Sequence, residues 1–373
     1  MKGEPVVPPI VHAATYRFET TADLIDVVQH RTGYIYTRWD NPTVREVERR
    51  VAGLEGTDET VGFASGMAAI TTSILAHVSS GDVVAAIATY GETVRFLVDV
   101  LPSFGVETAL FGPDDVDACI ERIEHGAAML YLESPMNPLL RILDIEALST
   151  IAHANGAAVL LDATFASPVN LRSQELGVDV ILHSATKYLG GHHDATAGFA
   201  CCDADTAHRI WMLRRTLGGI LGPAEAYLVW RGLQTLEVRV DRQNVSAGRI
   251  AAWLAAQPSV RAVHYPGLSS HPDHALAVRQ MRGFGGIVSF ELEADHDGTA
   301  RFMDRLQTIK LATSLGGVTT LANQSVTNTH ASMNETERSE AGISESLVRL
   351  SVGLEPVDGL LADLEQALGA LAS

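Results

Sequence analysis

The stretch Val178–Gly198 reads VDVILHSATKYLGGHHDATAG. Its apolar opening, with Val178, Val180, Ile181 and Leu182, predicts a buried strand. The strand runs straight into His183, Ser184, Ala185, Thr186 and Lys187, and then into Gly190 and Gly191, a His pair and Gly198. Lysine is rarely buried without a partner. One use for it here is a Schiff base to a carbonyl cofactor, with the hydroxyls of Ser184 and Thr186 near that cofactor's phosphate. An ordinary strand exit whose lysine reaches solvent is the alternative. His192 and His193 are adjacent and do not share a face as a metal pair would, so no metal site is expected.

Outward from this strand, apolar runs alternate with helical patterns from Thr60 to about Val238. Strands are expected at Val61–Ala64, Asp82–Ala88, Val106–Phe111, Ala128–Leu132, Ala157–Leu161, Val178–Leu182 and Gly198–Cys201. Helices are expected at Met67–Val78, Thr93–Leu101, Val116–Glu124, Ile145–Ala154 and Ala207–Leu217. Such alternation predicts a mainly parallel sheet covered by helices on both faces, with ligands outside the carboxyl ends of the strands. Beyond Val238 the pattern changes to a long helix (Asp241–Ala256), an alternating strand (Ile287–Leu292), a helix (Ala300–Lys310), a strand (Leu347–Val352) and a last helix (Leu360–Leu371). The expected division is an arm over residues 1–40, a large domain over 41–238 and an α+β domain over 239–373.

The 373 residues suffice for more than one domain. A formal charge of −18, from 45 acidic and 27 basic residues, argues against nucleic acid or anionic membrane as partners. Three cysteines, two of them adjacent and none at metal spacing, suggest a reducing compartment. With no apolar run of signal or membrane-span length, the expected location is the cytoplasm.

The polar residues of interest sit at expected strand ends. Ser65, Gly66 and Met67 open a helix after a strand, where backbone N–H groups can take an anion. The alternative is a plain Ser cap. Asp162 ends a strand and suits a pyridinium nitrogen, or a helix cap. Tyr90 could stack on a flat ring or cap the core. Glu133 and Asn137 follow another strand. Arg349, inside the apolar run LVRLSVG, needs an anion, either an acidic side chain or a substrate carboxylate. Tyr36 and Arg38 form a Tyr-x-Arg pair in the arm.

Taken in order, VVPPI, YTRWDNPT, ASGMAAI, TYGETVRF, ESPMNP, LLDATFASP, HSATKYLGGHHD, RGLQTLEVR, SLGGVTTL and VRLSVGLE span nearly the whole chain. This set resembles the pyridoxal-phosphate enzymes of cysteine and methionine metabolism: the cystathionine gamma-synthases, the cystathionine and methionine gamma-lyases, the beta-lyases and the homoserine sulfhydrylases. The resemblance implies a fold-type I, aspartate aminotransferase-like α/β architecture with pyridoxal 5′-phosphate as cofactor. It implies that Lys187 carries the cofactor as a Schiff base, Asp162 pairs with the pyridine nitrogen and Tyr90 stacks on the ring. The phosphate would lie on Ser65, Gly66, Met67, Ser184 and Thr186, helped by Tyr36 and Arg38 of a neighbouring subunit, and Asn137 would approach the ring hydroxyl. Arg349 with Ser314 would take the substrate carboxylate, and Arg95 and Glu92 would lie toward its distal end. A homotetramer, built as a dimer of dimers with shared active sites, is the implied assembly.

The implied chemistry is α,γ-elimination on a sulfur-containing or γ-substituted amino acid. Lys187 removes the Cα proton, and Tyr90 aids the leaving group. Alternatives are γ-replacement, as in cystathionine gamma-synthase or an O-acyl-homoserine sulfhydrylase, a beta-lyase, and a non-catalytic cofactor-binding protein. Departures from the family pattern fall in the substrate region: Ile35 and Thr313 where gamma-lyases often carry Glu, Glu92, Ala163, Thr319, and HASMNE over His330–Glu335. Leu315, where some beta-lyases place Trp, favours γ-chemistry. These departures suggest a specialised substrate.

Overall fold

The computed structural model describes residues 5–327, 342–369 and 371. His330–Glu335 lies outside the described residues. Seven strands form the first sheet: β1 Glu59–Phe63, β2 Val83–Ile87, β3 Glu107–Phe111, β4 Met129–Glu133, β5 Ala158–Asp162, β6 Val180–Ser184 and β7 Gly198–Cys202. Their order is β1-β7-β6-β5-β4-β2-β3. The pairs β2–β3, β2–β4, β4–β5 and β5–β6 are parallel, and β7 runs antiparallel to both its neighbours. Every strand but β7 therefore delivers its carboxyl end to one edge.

The apolar runs are continuous because both faces are covered. On one face Leu130, Leu132, Val159, Leu161 and Ile181 pack with the helices Pro42–Glu55 and Ile145–Ala154. On the other Met129, Tyr131, Leu160, Val180 and Leu182 pack with the helices Gly66–Leu75 and Ala204–Leu217. Side chains alternate along a strand, so Glu133, Asp162 and Ser184 extend the second face to the sheet edge. They lie on the side of helix Gly66–Leu75.

The second sheet has strands β8 Val260–His264, β9 Ile287–Leu292, β10 Lys310–Leu311, β11 Leu321–Gln324 and β12 Leu347–Ser351, in the order β10-β11-β12-β9-β8. Val288, Phe290, Leu292, Val348 and Leu350 pack on the helices Leu236–Leu254 and Val357–Gly369. The opposite face is polar at its centre. Ser289, Arg349 and Asn323 are successive cross-strand partners on β9, β12 and β11. This face meets the first sheet, where the Ser289 hydroxyl donates to the Pro138 carbonyl at 2.6 Å and the Gly286 N–H donates to the Tyr188 hydroxyl at 3.2 Å.

Expected and observed elements differ mainly at their ends. The helix expected over Thr93–Leu101 is a short helix Gly91–Arg95, then a π-helical turn Phe96–Val100 and a 3₁₀ turn Leu101–Phe104. Pro102, which has no N–H, falls where regular α-helical bonding has already ended. The helix expected over Ala300–Lys310 lies at His296–Arg305, because Asp295 caps it by accepting from the Gly298 N–H at 2.7 Å. The change of pattern near Val238 falls just inside the helix Leu236–Leu254.

Candidate active site

Lys187 follows β6 by three residues and turns its amine toward the second sheet. Its Nζ donates to the Ser314 hydroxyl at 2.9 Å. Burial first, and the Arg349 charge second, lower the amine to about 8, with Asp162 opposing. Ser314 is held at φ +77°, a left-handed conformation unusual for a residue with a side chain. Its carbonyl accepts from Arg349 Nη2 at 3.1 Å, and Arg349 Nη1 donates to Asn137 Oδ1 at 2.8 Å. Arg349 is 2% exposed, its Nε is buried without a partner, and burial pulls the guanidinium down to about 10. Lys187, Ser314, Arg349 and Asn137 thus form one continuous chain of polar contacts between the two sheets.

Asp162 closes β5 and accepts from the Thr164 N–H at 3.0 Å. Burial raises its carboxyl above the ordinary value, opposed by Thr164, His183 and Lys187. Thr164 also accepts the Ser184 N–H at 2.9 Å, so it joins the ends of β5 and β6. Nothing in the sequence beyond the position of a hydroxyl two residues after an Asp marks Thr164 for this task.

After β1 the chain enters helix Gly66–Leu75, capped by Ser65 Oγ accepting from the Ala68 N–H at 3.1 Å. The N–H groups of Gly66 and Met67, in the first helical turn, have no acceptor within the helix. A Cβ on Gly66 would sit 2.7 Å from the Ser184 Cβ, so only glycine lets the helix start approach β6 this closely. Ser184 and the helix start therefore form one concave corner. The Thr186 hydroxyl stands beside it, bonded to the Ala197 backbone at 3.2 Å.

Tyr90 follows β2, is 38% exposed, and has its phenol pushed upward by burial and then by Glu92. Its backbone N–H and that of Asn137 both end on Glu133.

Among the described residues, the other expected site residues make no hydrogen bond or ion pair with the Lys187 contacts. Glu92, beside Tyr90, is exposed, and Arg95 keeps 71% of its side chain exposed, 3.9 Å from Asp99. Arg38 donates to the Arg215 carbonyl at 2.8 Å, and Tyr36 is 43% exposed beside it. Among the described residues neither reaches the Lys187 chain of contacts by a hydrogen bond or ion pair. A cavity of about 620 Å³ adjoins Ser314 and Thr186 and is lined also by His193, Asp194, Thr313 and Thr319. Two of the substituted positions thus share one space. Ala163 is fully buried and lines none of it.

A family model described as Cys/Met metabolism PLP-dependent enzyme matches residues 2–369. Cystathionine gamma-synthase 1, chloroplastic, of Arabidopsis thaliana is 41% identical, the match covering 98% of this chain and 66% of that protein. The chain thus spans about two thirds of the plant protein's length. L-methionine gamma-lyase of Pseudomonas putida is 40% identical over 99% of this chain and 94% of that one. Cystathionine beta-lyase of Lactococcus lactis is 41% identical over 90% and 88%. The solved structure of cystathionine gamma-lyase from Lactobacillus plantarum, complexed with L-serine, superposes with a TM-score of 0.91 at 37% identity, covering 98% of this chain and 93% of that chain. With the fold-type I arrangement of its mainly parallel sheet, the chain belongs to the pyridoxal-phosphate-dependent enzymes of cysteine and methionine metabolism, a family of carbon–sulfur lyases and gamma-synthases.

Proposed function

We propose that this site carries pyridoxal 5′-phosphate on Lys187 and catalyses α,γ-elimination on a sulfur-containing or γ-substituted amino acid. The observation that carries the reading is the contact chain from Lys187 through Ser314 to Arg349, on the face of the sheet that Asp162 ends. The residues fit the cofactor. The corner of Gly66, Met67 and Ser184, with Ser65 and Thr186 at its edge, is too tight for a Cβ and rich in free donors, as a phosphate needs. The Asp162 carboxylate suits a protonated ring nitrogen, Tyr90 is assigned to cover a flat ring, and the unpartnered Arg349 Nε suits a carboxylate. Arg349, Asn137 and Ser314 are therefore assigned the substrate's α-carboxylate.

When bound, the cofactor supplies an electron sink for negative charge developing at Cα. The amine of Lys187 would take the Cα proton, and Ser314 limits the directions in which that amine can point. Tyr90, whose raised value keeps its hydroxyl protonated, gives a proton toward the leaving group at Cγ. Glu92 and Arg95, on the helix after Tyr90, are assigned to the distal end of the substrate.

The likeness to a cystathionine gamma-synthase favours γ-replacement as the second reading. A panel of cystathionine, methionine, homocysteine, O-acetyl- and O-succinylhomoserine and cysteine separates the readings. Release of 2-oxobutanoate without added thiol supports elimination, and turnover only with thiol overturns it in favour of replacement. Pyruvate as product would indicate a beta-lyase.

Tyr36 and Arg38 are assigned to the phosphate site of a neighbouring copy in a dimer-of-dimers tetramer. The support is their position on an arm whose helix Thr21–His30 buries no residue in this protomer. The three cysteines are buried free thiols, which suits a reducing cytoplasm. No helix among the described residues is long and apolar enough to cross a membrane.

A further inference from the structure

Glu133 ends β4 directly opposite Asp162 on β5, and it is 5% exposed. Two carboxylates side by side at a buried sheet edge repel each other, and each loses its hydration. A glutamine would remove the repulsion at the same size. A glutamine, however, has one oxygen, and Glu133 uses both of its own. Oε2 accepts from the Thr89 N–H at 2.9 Å and the Tyr90 N–H at 2.8 Å, while Oε1 accepts from the Asn137 N–H at 3.0 Å. One side of the carboxylate holds the loop that presents the Tyr90 ring. The other holds the loop whose Asn137 amide receives Arg349 Nη1.

We infer that Glu133 is a positioning residue whose single carboxylate sets the Tyr90 ring and the Asn137–Arg349 pair together, so that ring stacking and α-carboxylate binding are held as one unit. It rests on the roles proposed above for Tyr90, Asn137 and Arg349. The charged groups that face it are Asp162 on β5 and, through Asn137, Arg349 on β12; Tyr90 and the wholly buried Tyr131 complete the titratable surroundings. Burial, and then Asp162, push the Glu133 carboxyl up to about 7 while the three N–H groups hold it down. Geometry sets the residue type: each of the two oxygens accepts from a different loop, and a side chain with one oxygen cannot serve both.

The test is Glu133→Gln, with three readouts. These are the melting temperature of the apoprotein, the cofactor Kd from absorbance titration of the apoprotein, and the Kd of glycine on the holoenzyme from the change in the cofactor band. Glycine presents an α-amine and an α-carboxylate and no side chain, so the result does not depend on which substrate the enzyme prefers. The expected result is a rise of about tenfold in both Kd values with the melting temperature within a few degrees of the wild type, as for losing a charge-assisted hydrogen bond. In Glu133→Gln/Asn137→Ala, glycine is expected to bind no more weakly than in Asn137→Ala alone. Both Kd values within about twofold of the wild type would overturn the inference, as would fully additive losses in the double variant. Should Glu133→Gln fail to fold, Glu133→Asp, one methylene too short to span both loops, is expected to raise both Kd values. A wild-type holoenzyme without a Lys187-dependent band would instead overturn the cofactor assignment.

Discussion

The amine of Lys187 donates to the hydroxyl of Ser314, 127 residues away, across the space between the two sheets. Ser314 holds this position in a left-handed backbone conformation, which costs a residue with a Cβ about 1–2 kcal/mol. Ser314→Gly removes the hydroxyl and relieves that conformation; Ser314→Ala removes only the hydroxyl. Both are expected to lower kcat by about tenfold, the equivalent of one hydrogen bond to a charged group. Steady-state assays and thermal melts of the two variants check this. A normal kcat in either would show that the bond does not orient the base.

Lys187→Ala is expected to lose the cofactor's Schiff-base absorbance and to lower kcat by at least about 10³-fold, the upper range for removal of a general base. Absorbance spectra of the purified variant, with and without added methylamine, report the first effect directly.

The depressed amine of Lys187 gives a pH signature in the apoprotein. Only the neutral amine attacks the cofactor's aldehyde, so the rate of cofactor capture rises with pH and levels above about 8. Arg349 contributes to the depression, so Arg349→Met is expected to move the midpoint upward. The linkage to stability has the same cause. A lysine lowered from 10.5 to about 8 leaves the unfolded chain binding more protons between those values, so this group's contribution to apoprotein stability rises with pH across that window. Stopped-flow mixing with the cofactor between pH 6 and 10 measures the midpoint.

Gly66→Ala is expected to destabilise the protein by about 1–3 kcal/mol, because its Cβ would lie 2.7 Å from that of Ser184. It is also expected to raise the cofactor Kd by displacing the helix start. Adding Ser184→Gly removes the opposing Cβ and is expected to recover much of the lost stability. Thermal melts and cofactor titrations of the single and double variants test both statements.

Arg349→Lys keeps the charge and loses the planar fork. An increase of about tenfold in KM is expected, with kcat less affected, and Arg349→Met is expected to raise KM by about 100-fold. A change confined to kcat would place Arg349 outside carboxylate recognition.

The elements were legible where one local rule decides them. The central strands β2, β4, β5 and β6 of the first sheet are bounded by turns and are apolar on both faces, so their existence followed from composition along the chain. The helices Val116–Glu124 and Ile145–Ala154 fall where the apolar period placed them. Ends were misplaced where a cap decided them, as Asp203 does by accepting from the Asp205 and Thr206 N–H groups and so starting a helix at Ala204 rather than Ala207. The hydroxyls, Gly66 and Lys187 were visible because each sits within a few residues of a strand end.

The sequence by itself determined the family and its fold, because ten blocks in fixed order span nearly the whole chain, and it marked Lys187, Asp162 and Arg349 as candidates, because a lysine or an aspartate beside a buried strand and an arginine within one each need a partner. Only the tertiary structure decided which residues touch. Ser314 bonds to Lys187, Glu133 joins two loops, and Thr164 links Asp162 to Ser184, since these contacts depend on sheet order and on how two sheets meet. It also separated Arg95, Tyr36 and Arg38 from the Lys187 contacts of their own protomer, a distinction that linear order cannot carry.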